Sequence, residues 1–357
     1  MPQSGLEGSP GRAAAGKEMP SMPGPGYVVI GGGIAATQAA ETIRARSSEA
    51  AITLIAEEPR PFYLRPLLAD FVAGRVSERD LWRDFESVAA AKNITLMTGC
   101  QVVGIDRAAR TVSLSEGGEV GYDGLVVATG VKPVLPGIPG VDLDRVATFS
   151  TYDDAARVAE WVGDATRAVV VGRGLQGVEL ARALRLSGLE VTMIVPDESP
   201  WFPALFRVQG SLVEEALRDH GVEVLALDQA VALVGEGGRV RAVKTRKGRE
   251  VPAEIVGFAL DQRAQTGFLV GSGISLADGV VVDRRLQSTD PSVYAAGDVA
   301  QIRENGRLRT IGYGWMRARA QGEAAARNLT GGSVEVAVGD ESEAQALYGA
   351  SILSRWQ

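Results

Sequence analysis

One arrangement constrains this chain more than any other, and it occurs twice. A run of β-branched residues meets a glycine-rich turn, then a helical stretch of small residues, a second strand and an acid. At 27–58 it reads YVVIGGGIAATQAAETIRARSSEAAITLIAEE, and at 168–198 AVVVGRGLQGVELARALRLSGLEVTMIVPDE. A parallel βαβ unit needs that order, because parallel strands must be joined by a crossover. Ordered glycine costs conformational entropy, so a glycine cluster needs a structural return. The spacing Gly31-x-Gly33-x-x-Ala36 supplies one. Gly31 permits a tight turn, Gly33 lets the backbone approach a pyrophosphate, and Ala36 lets the helix lie close on the strand. The helix start, with Ile34 and Ala35, offers free N–H groups and a partial positive charge to phosphates. Glu57 and Glu58 stand where a ribose hydroxyl needs an acceptor. The second unit repeats the spacing as Gly172-x-Gly174-x-x-Gly177. Two such units predict an α/β chain with two Rossmann-like, doubly wound dinucleotide-binding domains.

Composition removes other classes of function. The 357 residues suggest two or three domains. Lys and Arg number 37 against 44 Asp and Glu, a net charge of −7, with no long basic block, which argues against nucleic acid. No apolar run reaches the roughly 18 residues of a membrane span. Residues 1–26, rich in Gly, Pro, Ser and Ala, read as a disordered leader, with the fold starting at Tyr27. Cys100 and His220 are the only residues of their types. An intrachain disulfide, a Cys-x-x-Cys redox pair, an iron–sulfur cage and the usual zinc site are therefore excluded, and no metal is expected. Cys100 reads as a small buried apolar residue, and His220 as a residue at a helix end before a glycine. This cysteine usage suits a cytoplasmic protein.

Separated motifs in a shared order then make the chain resemble the FAD-dependent pyridine nucleotide oxidoreductases, in the rubredoxin reductase, ferredoxin reductase and nitrite reductase flavoprotein branch. They are the first glycine unit, FYLRPLLADFVAGR (62–75), GCQVVGID (99–106), GLVVATGVKPVLPGIPGVD (124–142), TDPSVYAAGDVA (289–300) and GYGWMRARAQGEAAARNLTG (312–331). The resemblance implies an FAD site. Gly31, Gly33 and Glu57 would take the adenosine and pyrophosphate, and Arg65 would lie near the flavin. Val102 would meet the adenine through its backbone. Ala128, Thr129 and Gly130 would line the site, Asp298 would accept a ribityl hydroxyl, and Trp315 would precede a helix facing the flavin pyrimidine. The residues at Asp298 agree: an apolar strand ends in glycine, then an acid that only accepts hydrogen bonds when ionised. The second unit would bind the nicotinamide nucleotide through Gly172, Gly174, Gln176 and Gly177, with Glu179 positioned near nicotinamide and flavin. Asp197 and Glu198, with no cation before Arg207, favour a free ribose 2′-hydroxyl and so NADH over NADPH.

The FAD-binding domain is expected to be discontinuous, over 27–150 and 260–330, with the nicotinamide domain, 151–259, inserted and a short C-terminal remnant over 331–357. Two departures from the branch stand out. Asp261, Gln262, Arg263 and Ala264 replace the usual nicotinamide-closing loop. Asp70 replaces a lysine, which would set an anion near the flavin. The expected activity is electron transfer from NADH through FAD to a small redox protein or a partner subunit. A non-catalytic flavoprotein and a flavin subunit of a larger dehydrogenase stay open, as does the oligomer.

Overall fold

The computed structural model describes residues 26–60, 62–196, 207–260, 262–304, 306–310 and 314–337. The leader up to Pro25, Asp197 and the remnant beyond Ala337 lie outside these residues. Each glycine unit builds the centre of a five-stranded parallel sheet. The first sheet runs, in spatial order, Val293–Ala295, Gly124–Val127, Gly26–Ile30, Ala51–Ala56 and Thr95–Thr98. The second runs Val222–Leu225, Glu190–Ile194, Arg167–Gly172, Ile255–Ala259 and Val146–Thr148. In both, the strand that ends in the glycine turn is central, with its own βα continuation on one side and a later strand on the other. Ligands bind at that switch of direction, beyond the carboxyl ends of the strands.

The residue choices explain the layers. Val28, Val29, Leu125 and Val126 are fully buried, as strands covered on both faces must be. The helix Ile34–Arg46 presents Ala35, Ala36, Ala39 and Ala40 inward. Small side chains there let two backbones come close. A Cβ at Gly322, in the helix Trp315–Leu329, would lie 2.2 Å from the Ala35 carbonyl oxygen. Val102 opens the strand Val102–Asp106 of a three-stranded antiparallel sheet. Thr151 caps the helix Tyr152–Trp161, its Oγ1 accepting from the Asp154 N–H at 3.1 Å while Asp154 Oδ2 accepts from the Thr151 N–H at 3.2 Å. His220 follows the helix Arg207–Asp219, its N–H donating to the Ala216 carbonyl at 3.1 Å. Cys100 departs from expectation in part: it packs against the first core but is only half-buried and also lies on a cavity wall.

The excursion after the first sheet's second strand belongs in space to the second sheet. Tyr63, Leu68, Ala69, Val72 and Leu81 share one buried cluster with Val170, Leu180 and Leu184. The short helix Leu68–Val72 packs on both Tyr152–Trp161 and the second glycine helix, Gly174–Leu186. This segment ties the two halves together, while its neighbours Phe62 and Phe85 stay in the first core.

Candidate functional site

The glycine turns have the geometry that their spacing predicts. Gly31 has φ +136°, and a Cβ there would stand 2.2 Å from the Ala128 carbonyl oxygen. Gly172 repeats it at φ +144°, with a Cβ 2.0 Å from the Ala259 carbonyl oxygen. No side chain fits either position. Gly33 differs, since a Cβ there would meet nothing within 4 Å. Its open side is a bay at the helix start, where backbone donors are unsatisfied within the helix.

Both turns open on one cavity of about 860 Å³. From the first half its wall takes Gly31, Gly33, Ile34, Ala35, Glu57, Glu58, Arg65, Val102, Ala128, Thr129, Gly130, Asp298 and Trp315. From the second it takes Gly174, Gln176 and Glu179. Three expected binding residues stand behind the wall. Ala36 is fully buried in helix–sheet packing. Gly172 shapes the turn, and Gly177, where a Cβ would lie 2.9 Å from Met193 Cε, lets the helix seat on its strand. They act on a ligand through backbone shape rather than by lining its phosphates. Asp197 lies outside the described residues.

The two acids after the second strand divide their work. Glu58 is committed, with Oε1 accepting from Arg65 Nη2 at 2.5 Å and Oε2 from the Tyr63 hydroxyl at 2.9 Å. Arg65 also donates to the Ser150 carbonyl, and its guanidinium lies 4.8 Å from the Tyr63 ring centroid. Burial, reinforced by Glu58, keeps the Tyr63 hydroxyl protonated well beyond its usual range. Glu57 is exposed at the cavity edge and accepts from Lys132 Nζ at 2.6 Å. Lys132 and Gln262 are wall residues that the motifs do not reveal, because each depends on a strand pair, Val131–Pro133 with Gln262–Ala264. Gln262 Nε2 donates to Gln176 Oε1 at 2.6 Å, so the departing loop reaches the second glycine helix. Arg173, inside the second glycine motif, also lines the cavity. Its cationic type beside a phosphate-binding turn could have been noticed in the sequence.

Asp298 tests the fit to a flavin nucleotide. It is half-buried on the cavity wall, and no hydrogen bond to its carboxylate is described. Burial raises its pKa to about 6, against the pull of Arg65. An acceptor-only group left without a donor at a ligand-sized cavity suits a polyol hydroxyl. The donor set at Gly31–Ala35 suits a pyrophosphate, so these residues fit FAD.

A pH dependence follows. In FAD-free protein Asp298 holds a proton up to about pH 6, whereas an ordinary aspartate loses it near 3.8. The native state binds more protons between these values, so this residue's contribution to stability falls as pH rises from about 4 to about 6. Asp298→Asn removes that loss. Denaturant unfolding of stripped protein should show the variant gaining on wild type across this window, by on the order of 2 kcal/mol. A difference that is flat with pH would contradict it.

Two glycine turns of one geometry face one cavity, each at the end of the central strand of its own parallel sheet. Residues 25–354 match the pyridine nucleotide-disulphide oxidoreductase family, and the chain belongs to it. Members are oxidoreductases that use FAD and NAD(P)H. Over 275 residues the chain is 32% identical to the nitric oxide reductase FlRd-NAD(+) reductase of Aeromonas hydrophila, covering 77% of this chain and 70% of that one. An NAD-dependent persulfide reductase from A. fulgidus superposes with TM-score 0.81 at 30% identity, over 87% of this chain and 60% of its own. A ferredoxin reductase from Rhodopseudomonas palustris gives 0.82 at 25% identity, over 87% and 78%. The chain thus spans between 60% and 78% of the length of these relatives. Among the described residues, no helix is long and apolar enough to cross a membrane, and no group of three or more His, Cys, Asp or Glu could hold a metal ion.

Proposed function

We propose that the chain passes electrons from NADH through FAD to an acceptor, a small redox protein or partner subunit. The observation that carries this reading is the shared cavity: Asp298 and the first glycine turn on one side, Gly174, Gln176 and Glu179 on the other. Residues 27–150 and 260–330 would hold FAD, and 151–259 the nicotinamide nucleotide. The flavin, when bound, accepts a hydride from the nicotinamide and releases electrons to the acceptor. The protein binds, orients and excludes water. Gly31 and the helix start at Ile34 would receive the pyrophosphate, Glu57 the ribose, and the Val102 backbone the adenine. Asp298 would accept a ribityl hydroxyl, with Arg65, Ala128, Thr129, Gly130 and Trp315 around the flavin. The amides of Gln176 and Gln262, already bonded to each other, offer polar partners at the nicotinamide side.

NADH is preferred over NADPH because Asp197 and Glu198 repel a 2′-phosphate and no cation follows before Arg207. A protein acceptor is supported by the relatives, two of which are named a nitric oxide reductase FlRd-NAD(+) reductase and a ferredoxin reductase. An anaerobic titration of the purified protein, following flavin bleaching, tests the reading. NADH should bleach the flavin, and NADPH at equal concentration should do so about tenfold more slowly or worse. Retained FAD that neither nucleotide bleaches would sink the proposal and turn attention to 261–264.

A further inference from the structure

A charged triad is buried where the two halves meet. Arg182, on the second glycine helix, is 0% exposed. Its Nε and Nη2 donate to Glu179 Oε2 at 3.1 and 2.9 Å, and Nη2 donates to Asp70 Oδ1 at 2.8 Å. Glu179 lies one turn before it and lines the cavity, while Asp70 comes from the helix Leu68–Val72, 112 residues away in the chain. Burial by itself would lower the Arg182 pKa, but Glu179 and Asp70 outweigh it and hold the cation charged. The acid at 70 is therefore not a bare anion facing the flavin, as its sequence position suggested. It does not line the cavity, and it faces a buried guanidinium.

Stability alone is a poor explanation for this triad. Desolvating three charges is costly, and well-packed apolar residues of similar volume often serve as well or better. What the guanidinium adds is direction: a planar fork fixes the carboxylates it holds. Glu179 is buried at the cavity wall, and Arg182 grips its Oε2 through both Nε and Nη2. The second carboxylate partner belongs to the excursion that packs across from the first half, so one cation orients Glu179 and joins the halves.

We propose that Arg182 is a positioning residue for the nicotinamide end of the cavity: it fixes the Glu179 carboxylate at the wall and, through Asp70, keeps the second glycine helix in register with the Leu68–Val72 excursion. The identity of the ligand beside Glu179 rests on the proposed function. The step served is unchanged, a hydride leaving NADH for the flavin, and Arg182 neither gains nor loses a proton in it.

The test uses full-length, FAD-loaded Arg182→Met, Arg182→Lys and Asp70→Asn beside wild type. Three quantities are read: FAD content, the equilibrium Kd for NAD⁺, and the limiting rate of anaerobic flavin reduction by NADH. Arg182→Met should keep FAD and an NAD⁺ Kd within about threefold, while the limiting rate falls about tenfold or more. Arg182→Lys, which keeps the charge but not the fork, should recover only part of that rate, and Asp70→Asn should lose about threefold. A purely structural arginine would lower the yield of yellow protein without changing the limiting rate of what remains. Wild-type rate in Arg182→Met, or no recovery in Arg182→Lys, overturns the proposal. If Arg182→Met does not accumulate, wild-type rates in both other variants overturn it. A wild-type protein that neither binds NAD⁺ nor bleaches with NADH defeats the proposed function instead. In that case the register claim is judged by denaturant unfolding of Asp70→Asn, Arg182→Lys and their double variant, and additive effects would refute it.

Discussion

Replacing Gly31 with alanine is expected to give a folded but colourless protein. The new Cβ would stand 2.2 Å from the Ala128 carbonyl oxygen and 2.7 Å from its carbon, both backbone atoms just past the end of the neighbouring strand Gly124–Val127. Neither can yield without moving Ala128–Gly130, which forms the opposite wall of the same bay. The φ of +136° adds strain for any L side chain. The turn, not the sheet, absorbs the change, since Val28 to Ile30 are held by parallel pairing on both sides. Several kcal/mol of displacement at a pyrophosphate site would weaken FAD about a hundredfold or more, at 1.4 kcal/mol per tenfold. The measurement is the flavin-to-protein absorbance ratio after purification, with circular dichroism as the check on folding. A variant that stays as yellow as wild type would remove the first glycine turn from the FAD site.

Gly172→Ala should produce the complementary phenotype. Its Cβ would lie 2.0 Å from the Ala259 carbonyl oxygen and 2.4 Å from its carbon, here on a neighbouring strand. The damage falls on the second turn, so FAD should stay bound while reduction by NADH slows about a hundredfold at fixed concentration. Anaerobic stopped-flow bleaching measures this. The pair separates the two sites: one variant loses colour, the other keeps colour and loses the donor. Should Gly172→Ala lose FAD and Gly31→Ala lose only NADH reduction, the assignment of the two glycine units would be reversed.

The motifs were legible because each is local. A tight turn, a close backbone approach and a helix start lie within about ten residues, so spacing alone reveals them. The same holds for Asp298, whose strand, glycine and acid are consecutive. Glu57 and Glu58, adjacent in the chain, could not be told apart that way. Their roles diverge because Tyr63 and Arg65 reach Glu58, while Lys132 on another strand reaches Glu57.

The sequence by itself determined the α/β class, the pairing of two glycine units and the position of each turn. Period, propensity and glycine spacing act over short stretches of chain. Only the tertiary structure decided that the excursion around Leu68–Val72 packs in the second core and that Asp70 meets Arg182. The same is true of Gln262 reaching Gln176 across 86 residues. A side chain's partner depends on where two distant segments are brought together, and a buried charge must take whatever counter-charge that packing supplies.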